Sequence, residues 1–322
     1  MVMKYIESIS TELESIVKSQ QDIVDGLQQI MPANNDHLSS LKSDLTSISL
    51  ESLCILVYGE IACGKSSLIN AIQGCNIAPH RHLPILQPCI TEYKHSMIEK
   101  AILYSCPKKY NHNDRPFEIQ IDEVRTYLSL PDSDNPIKES PFYKLEINSS
   151  KCQSGVILID TTIPYWCSDL LSCPIVEQLY KVDAVIYCMR ADHAYSAKDE
   201  DDIESLRDLG YTSIIFVLTG WDRILDYNEM MGANDAAMFK EHLIRNLLPL
   251  TDLGENGIFF VDSLGALKGK IENDEFAVEK SGILHLDSYL SDLMIQKQKR
   301  ALLKIAEVNK HISEYIQNFL MR

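Results

Sequence analysis

The segment Gly59-Glu60-Ile61-Ala62-Cys63-Gly64-Lys65-Ser66 has the pattern G-x-x-x-x-G-K-S. A glycine at each end lets the chain curl until successive backbone N–H groups converge on a phosphate, and the N-terminus of a following helix adds partial positive charge. Lys65 is then placed to reach the β- and γ-phosphates of a nucleoside triphosphate, and the Ser66 hydroxyl to ligate Mg²⁺. With Ser67, these residues make up the expected nucleotide-binding loop.

Such a loop needs a strand before it and a helix after it. The apolar run Leu53 to Tyr58 and the helical pattern Ser66 to Ile72 supply both. Further apolar runs, Ala101 to Ser105, Val156 to Ile159, Ala184 to Cys188, Ile214 to Leu218 and Ile258 to Val261, read as strands buried on both faces. Helices are expected at Asp169 to Tyr180, Lys198 to Leu209 and Ala236 to Leu248. The fold class is therefore α/β, a mainly parallel sheet flanked by helices. The stretch Lys108 to Pro141, rich in Asn, Asp and Pro around an amphipathic piece at Ile119 to Leu128, reads as an insertion between strands.

The two ends of the chain are helical. Ile9, Leu13, Ile16, Gln20, Ile23, Leu27 and Ile30 fall at alternating steps of four and three, a heptad seam that Pro32 ends. A second helix carries Leu38, Leu41, Leu45 and Ile48. From Ser281-Gly282-Ile283 a closing helix runs nearly to Arg322. Some thirty-five helical residues extend about 50 Å, beyond a small domain, so part of this helix is expected to pair antiparallel with the first. The expected domains are 1–50 as N-terminal neck helices, 51–284 as the nucleotide-binding domain, and 285–322 as a closing helix continuing into a small helical neck.

Composition narrows the function. The 322 residues include 46 acids against 30 bases, a formal net charge of −16, which argues against nucleic acid as a partner. No run of eighteen apolar residues occurs, and the start, MVMKYIESISTELES, carries acids and serines where a secretory signal would be basic and then apolar. A cytoplasmic protein is expected. Nine cysteines without a Cys-x-x-Cys pair read as buried thiols in a reducing compartment, and the histidines lack zinc-ligand spacing. The run Asp199-Glu200-Asp201-Asp202 reads as a solvated helix start that complements the helix dipole.

Beyond the glycine-lysine loop, GEIACGKSSLINAIQG, from Gly59 to Gly74, resembles the opening of the dynamin-like GTPases, in particular their mitofusin and bacterial dynamin branch. Leu83-Pro84 followed by Pro88-Cys89-Ile90-Thr91 is similar to the first switch segment of that branch, which makes Thr91 a second Mg²⁺ ligand. Asp160-Thr161-Thr162-Ile163 stands where the family carries Asp-x-Pro-Gly, so the resemblance gives Asp160 a metal-bound water. Thr219-Gly220-Trp221-Asp222 stands where it has Asn/Thr-Lys-x-Asp, and an aspartate there accepts from guanine N1 and the exocyclic amine, which adenine cannot match. Trp221 reads as packing, with a cover for the base as the alternative. Val261-Asp262-Ser263 resembles the last family motif, whose backbone contacts the guanine oxygen.

Several positions depart from the family. Thr162 and Ile163 replace Pro and Gly, Gly220 replaces the lysine whose stem covers the base, and Ala62 stands where some relatives place Asn or Ser. The resemblance implies catalytic roles for Lys65, Ser66, Thr91 and Asp160, GTP and GDP as substrate and product, and Mg²⁺ as cofactor. It also implies self-pairing of GTPase domains, or pairing with a related dynamin-like partner, coupled to membrane remodelling. The protein would sit at a membrane peripherally, through a partner or through parts absent from this chain, which could be a fragment. The altered motifs motivate the alternative of a slow or inactive nucleotide-binding scaffold that controls protein association. An ATP-using enzyme is a third reading that leaves Asp222 without a purpose.

Overall fold

The computed structural model describes residues 2–30, 35–46, 52–78, 90–105, 116–124, 142–161, 182–231 and 235–321. Two compact units divide the chain, residues 1–53 with 289–322, and residues 54–288.

The larger unit is built on a nine-stranded sheet. Its strands are β1 (Leu53–Tyr58), β2 (Ile90–His95), β3 (Lys100–Ser105), β4 (Phe117–Ile119), β5 (Phe142–Ser149), β6 (Val156–Thr161), β7 (Ala184–Arg190), β8 (Ile214–Thr219) and β9 (Ile258–Val261). They lie in the order β4-β3-β5-β2-β6-β1-β7-β8-β9. The pairs β1/β7, β7/β8 and β8/β9 are parallel, as expected for strands that read as continuous apolar runs. Around them are α3 (Lys65–Gln73), α4 (Ala197–Asp208), α5 (Trp221–Met231), α6 (Asp235–Leu247), α7 (Ser263–Glu272) and α8 (Glu275–Lys280). One core cluster joins Tyr58, Tyr187 and Phe216 from adjacent strands to Leu206 of α4 and Leu247 of α6. The expected helix at Asp169 to Tyr180 lies outside the described residues, as does most of the expected insertion.

Strands β2, β4 and β5 go beyond the six runs read from the sequence. In β2 and β5, Thr91, Tyr93, Leu145 and Ile147 are buried, and Glu92, itself buried, alternates with them together with Lys94, Lys144 and Glu146. Glu92 and Glu146 are direct partners in the parallel β2/β5 ladder. Their like charges are bridged by Lys144 at 2.8 Å to each and by Lys94 at 2.5 and 3.4 Å. These contacts hold the Glu146 carboxyl below the usual carboxylate range despite its burial. A strand whose alternate positions carry paired charges has no apolar run to reveal it. At the far edge, Ile119 belongs to β4 rather than to the expected amphipathic piece.

The acidic run also differs from expectation. It does open α4, where Ser196 and Asp199 form a reciprocal capping box, but Asp199 and Asp202 are each only 3% exposed rather than solvated. Asp199 accepts from the Tyr187 hydroxyl at 2.9 Å, and Asp202 pairs with Lys198 at 2.5 Å.

The smaller unit packs α1 (Val2–Ile30) and α2 (Asn35–Thr46) with the later part of α9 (Ile283–Leu320). The contacts Asp25–Lys42 and Gln28–Ser39 step in opposite directions along α1 and α2, an antiparallel hairpin. Its core takes Leu13, Val17 and Val24 from α1, Leu38, Leu41 and Leu45 from α2, and Ala301, Ile305, Val308 and Ile312 from α9. Gln20 is buried among them and donates to the Ile305 carbonyl at 3.3 Å. Leu13, Gln20 and Leu27 of the expected seam face this core, and the seam is corrected at two positions, since Ile16 and Ile23, expected inside, are 42% and 45% exposed. Each precedes a valine that takes its place, because α2 and α9 together select the stripe they can both cover.

Candidate functional site

The phosphate-type loop leaves the end of β1 and opens α3. Gly59 and Gly64 both have positive φ, +145° and +98°, and neither has space for a side chain. A Cβ on Gly59 would stand 2.2 Å from the Cys188 carbonyl oxygen of β7, and one on Gly64 would stand 2.8 Å from Thr219 Oγ1 of β8. Both glycines are therefore required by packing as well as by backbone conformation. Ala62 also adopts a left-handed φ of +62°. No side chain caps the start of α3, so its first N–H groups stay available to an anion.

Lys65 is buried and donates to the carbonyls of Gly59 at 2.8 Å and Glu60 at 2.7 Å, curled back over its own loop. Ser66 Oγ donates to Asp160 Oδ2 of β6 at 3.1 Å. Thr91 stands directly opposite Asp160 in the antiparallel β2/β6 ladder. Residues so paired project from one face of a sheet, so Thr91 joins Ser66 and Asp160 on the same side. These donors are hard oxygens, which suit Mg²⁺. Among the described residues no group of three or more His, Cys, Asp or Glu could hold a metal. An ion held by Ser66 and Thr91, with Asp160 acting through a water, would take its remaining ligands from phosphate and water. Residues 79–89 and 162–181, which include Leu83, Pro84, Cys89, Thr162 and Ile163, lie outside the described residues.

A cavity of about 230 Å³ opens beside the loop. It brings Ala62, Cys63, Gly64 and Ser67 together with Thr219, Gly220 and Asp222 at the end of β8 and with Asp262 and Ser263 at the end of β9. Sequence separation is bridged here by strand order, since β1, β7, β8 and β9 are neighbours that point the same way. Thr219 is a brace: its hydroxyl donates to the Cys63 carbonyl at 2.6 Å. Asp222 begins α5, where burial first, and then the charge of Asp262, hold its carboxyl above the usual range. Asp262 caps α7 by accepting from the Gly265 N–H at 2.9 Å. Ser263 Oγ is buried with no hydrogen-bond partner among the described residues. Glu60 and Ile61 do not line this cavity; Ile61 is 74% exposed. Trp221 packs, its ring edge-on to Phe260 at 4.6 Å and stacked with Phe239 at 6.4 Å.

Three charged residues line the cavity that the motifs did not point to, Arg190, Asp192 and Arg223. Arg190 and Asp192 form an ion pair just past the end of β7. The signal was present in the sequence: Arg-Ala-Asp follows an apolar parallel-strand run, and ligands bind outside the carboxyl ends of such strands. Arg223 Cδ lies 3.9 Å from where a Gly220 Cβ would stand, close to the place of the missing lysine stem.

A family model described as the dynamin family matches residues 55–221, just over half of the chain. A Caldicellulosiruptor sp. (strain Rt8B.4) protein, described as an uncharacterized protein in the xynA 3′ region, is 21% identical over 311 residues, 91% of this chain and 72% of that protein. Two solved structures of an oligomerised bacterial dynamin pair, described as providing a mechanism for the long-range sensing and tethering of membranes, share the fold. Their TM-scores are 0.57 and 0.60 at 18% identity, covering 95% and 96% of this chain and 56% of each of theirs. The chain thus spans just over half the length of those structures.

Proposed function

Since the chain belongs to the dynamin family and carries its GTPase domain, we propose that it binds GTP with Mg²⁺, hydrolyses it, and couples the nucleotide state to self-association in membrane remodelling. The observation that supports this most is the convergence of Ala62, Cys63, Gly64 and Ser67 of the loop with Thr219, Asp222 and Ser263 in one cavity, beside the Ser66–Asp160 contact. In this reading the loop N–H groups and Lys65 hold the phosphates. Ser66 and Thr91 ligate Mg²⁺, and Asp160 acts through a bound water. Asp222 reads the guanine edge, and Asp262 and Ser263 contribute backbone groups to the base.

Residues 1–50 and 285–322 act as a neck, and 51–284 as the GTPase domain. Among the described residues no helix is long and apolar enough to cross a membrane. We assign the protein to the cytoplasm, with membrane contact made by a partner or by parts outside this chain, and with a second copy or a related dynamin-like chain as its partner.

Hydrolysis by a solitary domain is slow in this reading. The loop holds no arginine or glutamine to stabilise developing charge or orient water, and Arg190 is engaged by Asp192. A partner domain would supply the missing electrostatic groups, and each tenfold gain needs about 1.4 kcal/mol off the barrier. Specific GTPase activity measured against protein concentration tests this. Activity should climb with concentration, and a dimer should form with GDP and aluminium fluoride. Flat activity without a dimer would indicate a monomeric switch, and no turnover at any concentration would indicate a scaffold. The glycine at position 220, in place of a lysine whose stem would cover the base, supports that second reading, because weak base retention suits occupancy-controlled association. GTP binding unaffected by competing ATP separates both from an ATP-using enzyme.

A further inference from the structure

The phosphate loop contains a thiol that meets a second thiol from the neighbouring strand. Cys63 immediately precedes Gly64, its side chain turns inward to 4% exposure, and it still borders the cavity. Cys188 is wholly buried on β7, and its Sγ donates to the Cys63 carbonyl at 3.4 Å. The two thiols are also close enough to influence each other's ionisation. On the other side of Cys63 Sγ, the Lys65 ammonium lies 3.8 Å away. We propose that Cys63 and Cys188 form a peroxide-reactive dithiol whose oxidation to a disulfide disables the phosphate loop.

Reactivity of a thiol depends on its thiolate fraction and on access. Interaction with the Cys188 thiol, followed by the charge of Lys65, lowers the Cys63 pKa against the opposing effect of burial, while burial holds Cys188 up. This is the asymmetry of an attacking and a resolving thiol. Cys75 and Cys152 are by contrast both raised by burial, Cys152 to about 12. In the proposed step the Cys63 thiolate attacks the peroxide O–O bond, gains one oxygen as sulfenic acid and releases the other as hydroxide, which takes up a proton to become water. The Cys188 sulfur then attacks Cys63 sulfur, and the hydroxyl leaves as water with the Cys188 proton. The two thiols lose two electrons and two protons, and the peroxide becomes two waters.

A disulfide of about 2.05 Å is much shorter than the closest contact of two unlinked sulfurs, so closure must draw the loop and β7 together. The loop has no slack in that direction: a Cβ on Gly59 would already stand 2.2 Å from the Cys188 carbonyl oxygen and 3.0 Å from Cys63 Sγ. The N–H groups that face the phosphates shift with it. Bound nucleotide opposes the reaction by drawing Lys65 to the phosphates and covering the cavity.

The inference rests on the loop holding GTP phosphates, which the affinity of the fully reduced protein tests separately. The full chain is reduced, treated with hydrogen peroxide, alkylated and mapped by peptide mass spectrometry, with GTP affinity measured before and after. The expected result is a Cys63–Cys188 linked peptide, GTP binding weaker by at least about tenfold, recovery with dithiothreitol, and slower linkage in the presence of GTP and Mg²⁺. Cys188→Ser should give no such peptide and should leave Cys63 trappable as a sulfenic acid by dimedone. Absence of the linked peptide in the wild-type protein, or a linked peptide with unchanged GTP affinity, would overturn the proposal whether or not the variant folds. A reduced protein that does not bind GTP would overturn the nucleotide reading and the regulatory consequence, while the peptide map would still decide the dithiol.

Discussion

Thr91 faces Asp160 across the β2/β6 ladder, and Asp160 in turn accepts the Ser66 hydroxyl at 3.1 Å. Three oxygen-bearing side chains from a strand, a second strand and a helix start are thereby brought to one side of the sheet. Thr91 is only 2% exposed and sits inside β2, so its backbone is held by the ladder and not by a mobile loop. Thr91→Val keeps the shape and removes the oxygen. Its stability should change by no more than about 1 kcal/mol in denaturant unfolding. The Mg²⁺-dependent GTPase rate constant should fall at least about tenfold, equivalent to about 1.4 kcal/mol. An unchanged rate would remove Thr91 from the metal site.

The brace from Thr219 to the Cys63 carbonyl, 2.6 Å long, ties the end of β8 to the phosphate loop. Its hydroxyl also approaches the Met189 carbonyl at 3.3 Å. Thr219→Val leaves a buried carbonyl without this donor, a cost of about 1–3 kcal/mol. A lowered melting temperature together with weaker GTP binding is expected. Loss of stability with full affinity would show that the brace does not shape the loop.

Lys65→Ala should remove most GTP affinity by calorimetry, because a charge-assisted contact to phosphate is stronger than a neutral one. The fold should survive, since among the described residues the Lys65 ammonium bonds to carbonyls of its own loop and a neighbouring thiol.

Burial and the nearby Asp262 hold the Asp222 carboxyl above its ordinary range. In the proposed role guanine would donate two N–H groups to it, which would favour the carboxylate and pull its pKa down on binding. Affinity is therefore greatest above the raised pKa and is lost as pH falls through it, by up to about tenfold per pH unit for one linked proton. GTP titrations from neutral to mildly acidic buffer should show this slope. Asp222→Asn should flatten it and move preference toward xanthosine nucleotides, whose extra carbonyl can accept from the amide.

In the helical unit, Ile305 is buried and Leu303 is 71% exposed, two residues apart on α9. Ile305→Ala should cost about 2–5 kcal/mol through lost burial and a cavity. Leu303→Ala should stay within about 0.5 kcal/mol. Equal costs in chemical denaturation would place the seam elsewhere.

The phosphate loop, the strand before it and the helix after it were legible in the amino-acid sequence because each is encoded locally. Glycine supplies positive φ at Gly59 and Gly64, an apolar run makes β1, and a helical pattern makes α3. The same holds for β7, β8 and β9, whose burial on both faces leaves uninterrupted apolar runs. Tertiary structure alone decided which seam of α1 is buried, because Ile16 and Val17 are equally apolar and only α2 and α9 distinguish them. It decided that Glu92 and Glu146 lie in a sheet, since their charges are tolerable only once Lys94 and Lys144 stand beside them. It also brought Cys188 and Thr219 to the Cys63 carbonyl from 125 and 156 residues away. Local patterns specify backbone conformation within a few residues, whereas contacts over such separations are created by strand order, which no short stretch of sequence contains.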